Sequence, residues 1–387
     1  MVHGILKLLE IIALLGCASS AAYYGLCLGS ALRFMRKSRA AGHLRATPPV
    51  SILKPLKGAD REMYESFLSH CLQDYPGYEI IFGVSEEDDP AVECVRRLQQ
   101  EFPNRTIALI VCPKKLGANT KISNLEQMLA TAHYEYLLVN DSDIRVPPDY
   151  LRGVMAPLAD ERVGMVTCLY RGAAASTLGS RLESLGISTD FIPGVLVARE
   201  LEGGLHFALG STMAFRRTDL ARIGGFQSIV DFLADDYELG RRIAGLGLEV
   251  KLSDIVVETH LPAYDLRGFL AHQLRWARGV RDARTGGYVG LVTTFGLMWG
   301  ILVVALAQGA PWSWAALGVT ALLRLAVAMT VGGFLLRDRA FWRNLWLLPL
   351  RDLIAFGVWV ASFLGHGVTW RGDRFELKDG RLIRAGE

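Results

Sequence analysis

Long apolar runs occupy the two ends of the chain, and short apolar runs alternate with amphipathic stretches between them. Residues 5–32 are apolar or small apart from Lys7 and Glu10 near the start. A helix of that length crosses a hydrocarbon core of roughly 30 Å. Ala18-Ser19-Ser20 would suit a cleaved leader, but the apolar run continues past them. Arg33, Arg36, Lys37, Arg39 and Arg45 then follow without an acid between Leu32 and Val50. The positive-inside rule therefore predicts a retained signal anchor with its amino terminus outward.

Three more apolar runs cover residues 289–307, 315–336 and 345–364, with Arg337, Arg339 and Arg343 between the last two. Arg324 lies inside the second run, and Arg351 and Asp352 inside the third. Charges at such depth are expected to pair or to line a cavity. If all three runs span, the tail from Trp370 ends outside. Its Arg371, Arg374, Lys378, Arg381 and Arg384 favour the inside instead. One re-entrant or interfacial segment would reconcile the two.

Between the ends, short apolar runs at residues 50–53, 79–84, 106–111, 136–139 and 164–168 read as strands. Helical patterns at 61–72, 90–101 and 121–132 separate the first four. That alternation predicts one α/β domain with parallel strands and right-handed crossovers, a nucleotide-binding type of sheet. No Gly-x-Gly-x-x-Gly or Gly-x-x-x-x-Gly-Lys-Ser/Thr loop is present, so phosphates must be held in another way. Composition agrees with a membrane protein: 51% of the 387 residues are hydrophobic, and the net charge of +3 gives no case for nucleic acid. Six cysteines show no metal-ligand spacing and read as reduced core residues.

The sharpest chemical signal is Leu137-Leu138-Val139-Asn140-Asp141-Ser142-Asp143. A buried strand that stops on Asp-x-Asp puts two carboxylates at the carboxyl edge of the sheet, where open α/β sheets bind ligands. There Asp141 and Asp143 could share a divalent cation, Mg²⁺ or Mn²⁺, with a diphosphate. Other candidates meet the same edge. Lys54-Pro55-Leu56-Lys57-Gly58 follows the first strand and could face an anionic nucleotide, or form a basic surface turn. Asp88-Asp89-Pro90 follows the second, where a carboxylate could accept from a uracil or ribose, or start a helix. Lys121 and Asn124 open a helix that suits phosphate, with Asn119 or Thr120 as plain caps. Asp235-Asp236-Tyr237 starts another helix, where one aspartate could cap and the other act as a general base. Finally, His272-Gln273-Leu274-Arg275-Trp276 lies on a basic amphipathic stretch suited to a membrane interface.

In order and spacing, these motifs resemble the ceramide glucosyltransferase family (glycosyltransferase family 21) over essentially the whole chain. The resemblance implies a GT-A catalytic domain with an N-terminal transmembrane helix and about three C-terminal membrane segments. It implies a UDP-sugar donor contacted by Lys54, Pro55, Lys57, Asp89, Lys121, Asn124, Asp141 and Gln273, and a cation on Asp141 and Asp143. Asp236 would be the catalytic base, with Arg275 and Trp276 closing on leaving group and acceptor. His272 departs from the family's Gln or Arg at the first position of the last motif, while Asp143 completes a metal pair that eukaryotic ceramide enzymes often lack.

The implied organisation is an anchor at 1–33, a basic linker at 34–48 and a catalytic domain at 49–262. An interfacial helix at 263–287, membrane segments at 288–366 and a polar tail at 367–387 complete it. The expected activity is inverting transfer of a sugar to a lipid hydroxyl in the cytoplasmic leaflet of a bacterial inner membrane. N-acetylglucosamine on bacteriohopanetetrol is the first expectation and glucosylceramide the alternative. A polysaccharide synthase needs a translocation channel, for which roughly four membrane segments are too few. A non-catalytic lipid carrier or scaffold would have no need for the complete acid set.

Overall fold

The computed structural model describes residues 2–40, 46–370 and 373–384. Arg45 and Arg371, used above to orient the ends, lie outside the described residues, as does the side chain of Arg39. The chain forms two compact units. Met1–Ala40, Ser176–Glu200 and Ala263–Thr369 make one, and Ala41–Ala175, Leu201–Pro262 and Trp370–Glu387 the other. The stretch expected as one continuous catalytic domain is thus interrupted by Ser176–Glu200.

The second unit holds an eight-stranded mixed sheet in the order β3-β2-β1-β4-β7-β6-β8-β5. Its strands are β1 (Val50–Pro55), β2 (Tyr78–Val84), β3 (Ile107–Val111), β4 (Tyr136–Val139), β5 (Ile144–Arg145), β6 (Val163–Ala173), β7 (Met213–Arg216) and β8 (Glu249–His260). β1 to β4 are parallel, as the βα alternation requires. β7 then joins β4 and β6 antiparallel, which the sequence pattern did not disclose. The reason is local: β7 is four residues long, and β8 alternates buried with exposed positions, so neither makes a continuous apolar run. Leu53 of β1 sits opposite Val139 of β4, so the segments after both strands leave from one edge of the sheet. The acids of Asp-x-Asp start there.

The tail folds onto this same unit. Strands β9 (Asp373–Lys378) and β10 (Arg381–Arg384) form a hairpin, and both turn residues, Asp379 and Gly380, have positive φ of 51° and 78°. Asp-Gly is the sequence that such a two-residue turn favours. The Leu382 N–H donates to the Asp231 carbonyl at 2.7 Å, and the Leu233 N–H to the Gly380 carbonyl at 3.1 Å.

The first unit contains the helix Val2–Ala40, and by length and composition His3–Lys37, Pro311–Leu335 and Arg339–Ser362 can each cross a membrane. Thr285–Thr294 and Gly296–Leu306 together make a fourth candidate, bent by 51°. The chain leaves the sheet unit after Pro262 and re-enters it at Trp370.

The charges inside these helices are paired, as their depth demands. Arg324 meets Asp190 at 2.6 Å and Asp352 at 2.7 Å, and Arg351 lies 3.3 Å from Asp190. Asp190 comes from the π-helical turn Ile187–Phe191 within Ser176–Glu200. Those pairs tie this stretch to the apolar helices of its own unit.

Candidate active site

Asp-x-Asp is clamped from several directions. Asn140 is fully buried just before it, and its side-chain amide donates to the Ser211 carbonyl at 2.7 Å and the Tyr150 hydroxyl at 2.9 Å. The Lys54 ammonium donates to the Asp141 carbonyl at 3.0 Å. The Thr259 hydroxyl donates to Asp143 Oδ2 at 2.5 Å, and the His260 N–H to the Asp143 carbonyl at 3.0 Å. β4, β8 and the loop before β7 together hold the motif.

Lys121 is the hub of the acids. Its ammonium lies 2.8 Å from Asp141 Oδ1 and 2.8 Å from Asp235 Oδ2. Burial alone would lower its pKa, but the two carboxylates outweigh burial and keep it charged, above the ordinary lysine range. Asn119 caps the helix Thr120–Met128 by accepting from the Ile122 N–H at 3.2 Å, leaving Lys121 free to reach the acids. The capping reading holds for Asn119, while Lys121 pairs with the acids.

Asp236 stands at the start of the helix Asp235–Ala244. Its Oδ2 accepts from the Gly210 N–H at 2.8 Å, and its Oδ1 from the Tyr237 N–H at 2.8 Å. Burial first, then the Asp235 charge, raise its pKa to about 6 against the opposing pull of Lys121. Gly210 marks where Asp236 and Asp141 converge: a Cβ there would stand 3.1 Å from Asp141 Oδ2 and 3.3 Å from Asp236 Oδ2. A helix that close needs a second glycine. At Gly240 a Cβ would fall 2.2 Å from the Ala208 nitrogen, so the helix can lie directly on the 207–208 backbone. The sequence offered no periodic or charge signal for either glycine.

The other expected residues divide. The direct nucleotide contact expected of Lys54 is replaced by a bracing role, since its side chain is fully buried beneath Asp141 and burial lowers its pKa to about 7. Pro55 ends β1 in a buried position, and Lys57 is exposed beyond it. Asp89 accepts from the Gly58 N–H at 3.0 and 2.9 Å and from the Ala91 N–H at 2.9 Å. It therefore ties the loop after β1 to the helix after β2. Asn124 is buried, its amide oxygen accepting from the Ser85 hydroxyl at 3.2 Å. Asp235 is no cap: it makes no capping hydrogen bond and serves as the second counter-ion of Lys121.

Gln273, Arg275 and Trp276 belong to the membrane unit, on the helix Leu266–Ala283. The Gln273 amide oxygen accepts from Arg351 at 3.1 Å. His272 lies 3.0 Å from the buried Glu183, a partner that sequence reasoning missed, and stacks on Tyr264 with ring centroids 5.3 Å apart. The Trp276 indole sits 6.0 Å from the Phe191 ring.

The acids fit a hard cation shared with a diphosphate. Burial and the neighbouring Asp141 charge push the Asp143 carboxyl up to about 7. A divalent cation would relieve that repulsion. No cluster of three or more His, Cys, Asp or Glu suited to a metal occurs among the described residues, and Asp141 and Asp143 are the two carboxylates of the motif. Mg²⁺ sites built from one or two carboxylates plus substrate phosphates have this composition.

Comparison with known proteins extends the picture. Ceramide glucosyltransferase 1 of Caenorhabditis elegans is 23% identical over 356 residues, which is 88% of this chain and 74% of that protein. Ceramide glucosyltransferase 3 of the same organism is 27% identical over 232 residues, 60% of this chain and 50% of that protein. The fold matches that of the mannosyltransferase PcManGT from Pyrobaculum calidifontis, solved with GDP-Man and Mn²⁺. The TM-score is 0.53 at 22% identity, covering 92% of this chain and 98% of that one. This is the GT-A type of mixed α/β sheet expected from the motifs. The profile of glycosyl transferase family 21 matches residues 12–383, nearly the whole chain, and the chain therefore belongs to that family.

Proposed function

We propose that this hexosyltransferase moves glucose from UDP-glucose to the primary hydroxyl of a ceramide-type lipid, with inversion at the anomeric carbon. The observation that carries the reading is the Asp236 carboxylate, held by the Gly210 N–H beside the Lys121–Asp141 pair. A base with pKa near 6 is ionised at neutral pH yet more basic than an ordinary carboxylate. In a single displacement, Asp236 takes the hydroxyl proton as the lipid oxygen bonds to the anomeric carbon. The bond to the UDP oxygen breaks, and UDP leaves with the electron pair. Lys121 orients Asp141 and offsets the charge of the acid cluster, while Thr259 fixes Asp143. A Mg²⁺ or Mn²⁺ ion held by Asp141 and Asp143 would neutralise diphosphate charge. Arg275 at the leaving group and Trp276 at the acceptor are assigned on the family motif.

Relatives named as ceramide glucosyltransferases favour glucose and ceramide over the hopanoid reading. The exposed Arg33, Arg36 and Lys37 near the end of the anchor helix support a cytoplasmic catalytic unit. The test incubates detergent-solubilised protein with UDP-glucose, UDP-N-acetylglucosamine or GDP-mannose, against ceramide and bacteriohopanetetrol, and weighs the products. Hexosylceramide from UDP-glucose is the expected product. Transfer of N-acetylglucosamine to bacteriohopanetetrol alone would replace ceramide with the hopanoid acceptor.

A further inference from the structure

We infer that the C-terminal hairpin is a positioning element of the catalytic site, because it pairs with the segment that leads directly into Asp235 and Asp236. The inference rests on Asp236 being the base. Two backbone hydrogen bonds fasten β10 to Asp231–Leu233, and Arg381 bridges Phe232 between them. Two guanidinium groups approach the Phe232 ring, Arg242 at 5.5 Å and Arg381 at 5.2 Å from its centroid. Arg242 belongs to the Asp236 helix itself, so one aromatic ring joins tail, segment and base helix. Phe375, Leu377 and Leu382 are buried, which gives the hairpin an apolar face of its own.

The clamped segment also reaches the second catalytic helix. The Ala118 N–H donates to Asp231 Oδ1 at 2.9 Å, and the Asn119 side chain donates to the Phe232 carbonyl at 2.9 Å. Asn119 is the cap of the Lys121 helix. The tail supplies the partners of the Asp231 carbonyl and the Leu233 N–H. It also adds an isolated antiparallel bridge at Phe232, and this segment leads within five residues to Asp236 and by one hydrogen bond to the cap of the Lys121 helix.

Three full-length variants test this. Leu382→Pro lacks the donor to Asp231 by its chemistry. Arg381→Ala removes the cation over Phe232, and Arg381→Lys keeps one. The active fraction is measured for each by the stoichiometry of UDP binding, so that kcat refers to folded molecules. A misplacement of about 1 Å costs on the order of 10²-fold. For the partial loosening here we expect kcat to fall roughly tenfold in Leu382→Pro and Arg381→Ala. Donor KM should rise by a smaller factor than kcat falls, because the segment reaches Asp141 only through Lys121 while β4, β8 and Lys54 also hold Asp-x-Asp. Arg381→Lys should recover most of the rate.

A hairpin that merely stabilises the fold would lower the active fraction and the melting temperature, leaving kcat per binding site unchanged. That result in Leu382→Pro overturns the inference, as does a failure of lysine to restore what alanine loses. Asp236→Asn is run alongside. If it transfers sugar normally, the assignment of the base has failed, which is a separate outcome from failure of the tail inference.

Discussion

Gly210→Ala perturbs the site at one point whose consequences can be worked out. The backbone of Gly210 is not in the left-handed region, so alanine brings no conformational strain. Its Cβ would sit 3.1 Å from Asp141 Oδ2, 0.3 Å inside an ordinary 3.4 Å contact, and 3.3 Å from Asp236 Oδ2, 0.1 Å inside it. The carboxylates must therefore part by a few tenths of an ångström, and Asp141 is pinned by Lys121 on its other oxygen. If about 1 Å of misplacement costs on the order of 10²-fold, a shift near 0.3 Å scales to roughly fourfold. Partial loss of the 2.8 Å bond from the Gly210 N–H to Asp236 adds to this. Weakening of a charge-assisted bond is worth about 1 kcal/mol, another factor near five. We expect kcat to drop about twentyfold, with the melting temperature within a few degrees of wild type. The assay is UDP release from UDP-glucose with lipid acceptor in mixed micelles, beside a thermal melt. A normally folded Gly210→Ala enzyme with wild-type kcat would falsify the convergence of Asp141 and Asp236 on this point.

Further expectations follow from the same geometry. Asp236→Asn should lose about 10²–10⁴-fold in kcat with donor binding nearly intact, as for removal of a general base. Wild-type kcat in the acid limb should fall as pH drops through about 6, because Asp236 works only when ionised; a flat profile down to pH 5 would exclude it as the base. Asp235→Asn should be severe as well, and in donor binding too, because Lys121 loses one of its two counter-ions and is pulled onto Asp141; a kcat-only effect would show that the pair is not shared. Asp143→Asn should weaken UDP-sugar binding and raise the Mg²⁺ or Mn²⁺ demand, and undiminished turnover in excess EDTA would refute the shared cation.

The amphipathic and apolar periodicities determined much of this molecule before any coordinates. β1 to β4 and the helices between them, the N-terminal anchor and the Asp-x-Asp edge all follow from local patterns, because a run of apolar residues reports burial and a parallel βα series has few arrangements. The identity of the acids was legible for the same reason, since motifs lie on contiguous stretches of chain. What the acids do to one another was not. Lys121 and Asp235 are 114 residues apart in sequence, as the numbering shows, and only the sheet brings them within 2.8 Å. Lys54 carries the charge of a nucleotide ligand, yet its place under the Asp141 carbonyl makes it a brace. Gly210 and Gly240 have no side chain for a pattern to register, and their value lies in what approaches them. The tail's charges argued for one side of the membrane and the count of apolar runs for the other. Two backbone hydrogen bonds, at Asp231 and Leu233, join the tail to the sheet unit, and strand pairing of this kind is read from neighbours in space and leaves almost no trace in the side-chain pattern of an edge.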